Sequence, residues 1–123
     1  MKAKAYKKFR EEFITETFEL SDAKRIEYTE GNQELDVHTN FRRIGDELNL
    51  NPVKVLAVYL IKHFKSLMTF FKLGKTFSNE TLRSRVSDII NYLILLLSYL
   101  HYEDMKEGDD SPESRTSSKI YNV

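Results

Sequence analysis

The chain has 123 residues, enough for one domain with a modest core. Its 19 Lys and Arg balance 19 Asp and Glu, so no net charge argues for a nucleic-acid or membrane-surface partner. The absence of cysteine excludes disulfides, thiolate zinc sites and cysteine nucleophiles, and fits a reducing, cytoplasmic setting.

The first ten residues are basic, with Lys2, Lys4, Lys7, Lys8 and Arg10, but no apolar run follows, so no signal peptide is expected. Residues 3 to 18 predict a first helix, in which Tyr6, Phe9 and Phe13 recur at helical spacing. Over 21 to 36, Ser21 or Asp22 suits the cap of a short helix, and Gly31-Asn32 suits a turn. A helix over 37 to 48 follows, with Phe41, Ile44 and Leu48 on one face.

Asn51-Pro52 predicts a helix start, an Asn cap with Pro at the first helical position. The third helix runs to about Leu73, with Val53, Leu56, Leu60, Phe64, Leu67 and Phe71 as its stripe and Gly74 as its stop. The short loop before Ser78 and Asn79 predicts that the fourth helix, capped by one of these and ending near Met105, returns antiparallel. Leu82, Val86, Ile89, Leu93, Leu96 or Leu97, and Leu100 form its stripe, and Ile90, Ile94 and Leu95 widen it. One neighbouring helix cannot cover so broad an apolar face, which predicts an oligomer built through the fourth helix. The run from 89 to 100 is too short to span a bilayer, so no membrane partner is expected. From residue 107 the chain turns polar and is expected to be a mobile tail, leaving 1–106 as a single helical domain.

Two polar groups stand out on the last two helices. Arg85, Asp88 and Tyr92 share one face of the fourth, with Asn91 at its edge. Tyr59, Lys62, His63 and Ser66 lie midway along the third, and counting back from the loop sets both groups at one height. As a site, Lys62 and Arg85 would hold phosphate oxygens, the arginine through its planar fork, and Asn91 would read a base or ribose. The same spacing also describes a buried network in which Asp88 pairs with Arg85 or Lys62 and pins helix register. The chain offers no glycine-rich phosphate loop, no HExxH and no triad context, and too little basic-aromatic character for a nucleic-acid reader.

Tyr28, Thr29, Gly31, Asn40, Phe41, Tyr59, Lys62, His63, Gly74, Glu80, Arg85, Asp88, Asn91 and Tyr92 form an ordered series over residues 25 to 100. The series resembles small phage-encoded helical proteins of the nucleotide-modification-associated kind and, more distantly, the all-α nucleotide pyrophosphohydrolases of the MazG kind. The resemblance implies a nucleotide-like ligand and a cytoplasmic protein of an infected host cell. The pyrophosphohydrolases hold magnesium on ExxE and ExxD carboxylates. Here Arg85 stands three before Asp88, Arg83 replaces a family Glu, and Lys62-His63 stands where a carboxylate pair would be expected. These departures suit anion binding better than metal-dependent hydrolysis.

The expected fold is therefore all-α, a long antiparallel helix hairpin packed with two or three shorter N-terminal helices, and oligomeric. Three functions remain open. The first is a cofactor-free binder of a nucleotide or phosphate ligand through Tyr59, Lys62, His63, Arg85, Asp88, Asn91 and Tyr92, serving counter-defence by sequestering a nucleotide signal. The second is a magnesium-dependent pyrophosphohydrolase with Asp88 and Glu80 as metal ligands. The third is a structural oligomerisation or adaptor protein.

Overall fold

The computed structural model describes residues 1–28, 31 and 36–107. Four helices and no strand occur among them: α1 (Ala3–Tyr28), α2 (Thr39–Leu48), α3 (Pro52–Leu73) and α4 (Leu82–Glu107). They fall into two units, Met1–Thr39 and Asn40–Val123. The tail expected from residue 107 lies, apart from Glu107, outside the described residues, as does Asn32 of the expected turn.

The first unit is dominated by α1, which corrects the expectation of a short helix ending near residue 18. The helix continues for 26 residues through Ser21 and Asp22. Neither caps a new helix, because Asp22 instead pairs with Arg25 one turn on, at 3.6 Å. Such an i,i+3 pair supports helix continuity. Gly31, with φ 81°, donates its N–H to the Ile26 carbonyl at 2.8 Å and turns the chain as expected.

In the second unit the helix ends are set by local chemistry. Asn49, at φ 55°, is left-handed, and two bonds close α2: Asn49 N–H to the Asp46 carbonyl (3.4 Å) and Leu50 N–H to the Gly45 carbonyl (2.8 Å). This is a Schellman ending with Asn in the usual glycine place. Asn51 then caps α3, accepting from the Val53 N–H at 2.9 Å, with Pro52 in the first turn. Gly74, at φ 74°, ends α3 by donating to the Phe70 carbonyl at 2.7 Å. The start of α4 differs from expectation. Thr81 caps it by accepting from the Ser84 N–H at 3.1 Å, whereas Ser78 accepts from the Glu80 N–H within the loop.

The buried hydrophobic side chains among the described residues, Phe41, Val55, Leu56, Ile89 and Tyr99, all belong to the second unit. Phe41, Val55, Leu56 and Tyr99 form its centre, with Ile44, Val53, Tyr59, Tyr92, Leu95, Leu96 and Leu100 packed around them. Arg42 locks α2 to the far part of α4: it pairs with Glu103 at 2.8 Å and lies over the Tyr99 and Tyr102 rings at 5.2 and 5.5 Å. The predicted stripes are only partly inward. Phe64, Phe71, Leu48, Leu93 and Leu97 are exposed, while Tyr59 and His63 take inward places on α3. Burying one flank of each amphipathic helix leaves its other apolar flank facing out.

Gly45 is buried where α2 folds back on its own exit. A Cβ there would stand 2.6 Å from the Leu50 carbonyl oxygen. Gly45→Ala is therefore expected to cost about 1–3 kcal/mol, the usual range for overpacking, despite alanine's better helix propensity. Urea unfolding measures it, and an unchanged or raised midpoint would refute the tight approach.

Candidate functional site

α3 presents Tyr59 and His63 on successive turns, and α4 presents Arg85, Asp88 and Tyr92 in the same way. Tyr59 and Tyr92 stack across the two helices with centroids 5.7 Å apart and planes at 3°. His63 stacks on the same Tyr92 ring at 5.3 Å. Phe41 of α2 closes the group edge-on, 6.0 Å from Tyr59 and 6.5 Å from Tyr92. Offset and edge-to-face pairs are the favoured aromatic arrangements. One ring system thus joins three helices and forms the apolar wall of the site.

The polar side of that wall is a charge relay around His63, which is only 7 % exposed. Its Nδ1 lies 3.4 Å from Arg85 Nη1 and 3.9 Å from Asp88 Oδ2. A guanidinium can only donate, so the Arg85 contact is a hydrogen bond when Nδ1 carries no proton. A protonated Nδ1 would favour Asp88 instead. Burial lowers the His63 pKa below its ordinary 6.5. Asp88 and Glu80 oppose that shift, and Arg85 and Lys62 reinforce it.

Arg85 has two further partners from the α3–α4 connection. Nη1 pairs with Glu80 Oε2 at 2.9 Å, and Nη2 donates to Ser78 Oγ at 3.3 Å. The arginine side chain is 14 % exposed and that of Glu80 51 %, so Glu80 covers a buried cation from the solvent side. Ser78 Oγ also accepts the Glu80 N–H at 3.3 Å. Both contacts use Ser78 Oγ as the acceptor, which leaves the hydroxyl one proton to give.

Of the residues singled out from the sequence, Tyr59, His63, Arg85, Asp88, Tyr92 and Glu80 meet in this cluster. Lys62 is exposed on the adjoining face of α3 and acts on His63 through its charge. Asn91 is half-buried beside Tyr92 and, among the described residues, makes no hydrogen bond or ring contact to the cluster. Ser66, expected on the Lys62 face, spends its hydroxyl on the Lys62 carbonyl. The sequence reading missed two members. Ser78, which like Asn79 suits the cap of the fourth helix, instead accepts from Arg85, and its spacing of seven from that residue is the available signal. Phe41, expected on the apolar face of the second helix and in the resemblance series, is placed by the structure edge-on to Tyr59 and Tyr92.

A metal fits this set poorly. Glu80 is engaged by Arg85, Asp88 lies beside His63, and no group of three or more metal-ligating side chains occurs among the described residues. No family model, curated protein or solved structure matches the chain.

The depressed His63 pKa has a consequence for stability. Below about pH 6.5 the unfolded chain takes up a proton that the folded chain resists. The His63 contribution is therefore full above that value and is lost as pH falls through the lower folded pKa. His63→Gln is expected to flatten the pH dependence of the unfolding free energy between pH 7 and 5. An unaltered profile would show that His63 does not carry it.

Proposed function

We propose that the chain binds a nucleotide-like ligand, with Arg85 gripping a phosphate and the Tyr59–Tyr92–His63 wall receiving the apolar part. The observation that carries this reading is the convergence of a guanidinium, a neutral imidazole and a serine hydroxyl beside stacked aromatic rings, from two helices and their connection. Guanidinium groups bind phosphate by charge-assisted bonds, and aromatic faces take bases regardless of sequence. Lys62 adds a second positive charge on the adjoining face. The resemblance to phage nucleotide-modification-associated proteins supports the same ligand class. Binding without turnover then suits sequestration of a nucleotide signal in an infected cell.

A thermal-shift screen against nucleoside mono-, di- and triphosphates and cyclic nucleotides tests this. A ligand at a hundred times its Kd adds about 2.7 kcal/mol. Arg85→Ala is expected to abolish the shift while the protein stays folded. No shift with any nucleotide would overturn the reading.

The fold proposal extends to assembly. The α3–α4 pair is taken as an antiparallel hairpin inside a homo-oligomer joined through α4. Leu93, Ile94 and Leu97, which are 40 %, 44 % and 48 % exposed, support that joint, together with the small set of buried hydrophobics. Leu97→Glu is expected to shift the species in size-exclusion chromatography with light scattering to the monomer. A monomeric wild-type protein would remove the claim.

A further inference from the structure

We infer that Glu80 is a tethered stand-in for the ligand, its carboxylate occupying the place on Arg85 that a phosphate takes, so that binding is an exchange of one anion for another. This inference rests on the nucleotide reading above and specifies its ligand. Three features carry it. Glu80 Oε2 meets Arg85 Nη1 at 2.9 Å while Arg85 Nη2 turns to Ser78 Oγ at 3.3 Å, so the carboxylate shares the guanidinium with a hydroxyl. Its side chain is half exposed whereas that of Arg85 is 14 % exposed, so the position opens directly to solvent. Ser78 Oγ accepts from both the Arg85 Nη2 and the Glu80 N–H, which leaves its hydroxyl proton to give to a further acceptor. An incoming phosphate would take Nη1 and the Ser78 hydroxyl together, as one carboxylate oxygen does not.

The exchange selects by charge. A carboxylate five residues from its arginine is held at an effective concentration of order millimolar, as for any short flexible tether. A free ligand displaces it only by binding the guanidinium better. A terminal phosphate can, because it carries about −1.5 to −2 charges at neutral pH and three acceptor oxygens. A cyclic phosphodiester, with one negative charge like the carboxylate itself, gains little by the swap. The site is thus built for nucleotides ending in a phosphate monoester, and Glu80 sets the affinity that any incoming anion must exceed.

Isothermal titration of the full chain with AMP and with cyclic AMP tests the exchange, because the two share base and sugar and differ at the phosphate. Wild type is expected to bind AMP at least ten-fold more tightly than cyclic AMP. Glu80→Gln, which keeps the shape and removes the charge, is expected to tighten both about ten-fold and bring cyclic AMP into the measurable range. Glu80→Ala should do the same, and circular dichroism confirms that each variant is folded. If wild type binds AMP and Arg85→Ala loses it while Glu80→Gln matches wild type, the exchange is overturned and the nucleotide reading stands. If only the Glu80 variants bind, Glu80 blocks the site instead of exchanging, and both readings are overturned for the native chain. If neither wild type nor the variants bind either nucleotide, both fall.

Discussion

The stack of Tyr59, Tyr92 and His63 is the contact on which the second unit depends. Two helices that meet through aliphatic side chains can slide by a turn at modest cost, since ridges and grooves repeat. A pair of phenol rings at 5.7 Å, with an imidazole behind one of them, has no such repeat. Once that register is set, Arg85 and Asp88 must arrive beside His63, and Phe41 must enter from α2 to cover the rings. Fold and site are consequently one construction. The residues with polar chemistry are also those that fix how α3 and α4 meet.

Much of this was legible in the sequence, and the reason is capping. Asn51-Pro52 and Gly74 bound α3 by rules that act within a few residues, and the structure follows them. Counting from the loop sets the two polar groups at one height, and the structure brings His63 beside Arg85 and Asp88, a pairing that counting alone does not name. What stayed hidden depends on distant contacts. Residues 21 and 22 look like caps until helix propagation from α1 overrides them, with Arg25 holding Asp22. Phe64 and Phe71 fit the α3 stripe by periodicity, but α3 turns its aromatic-histidine flank inward, because Tyr92 and Phe41 wait there. Periodicity reveals that a helix has an apolar face; it does not reveal which of two adjoining flanks a partner will cover. The role of Ser78 was hidden for a related reason, since an N-cap preference and an arginine partner use the same hydroxyl.

Charge placement around His63 is similarly economical. Two cations and two anions surround a ring kept neutral by burial, with Arg85 and Asp88 competing for one nitrogen. A neutral imidazole between opposed charges can report on whichever of them is withdrawn.

The joint between α2 and α3 carries a mechanical implication. Asn49, Leu50 and Asn51 are the whole connection, and hydrogen bonds seal both of its ends. These bonds tie α2 to α3 as the two arms of one tight bend. At one arm is Tyr59, in the ring wall; at the other is Arg42, clamped to Glu103 and to the rings of Tyr99 and Tyr102. A displacement of the ring wall would reach Arg42 through its neighbour Phe41 and be felt toward the far end of α4, where Glu103, Tyr99 and Tyr102 hold that arginine.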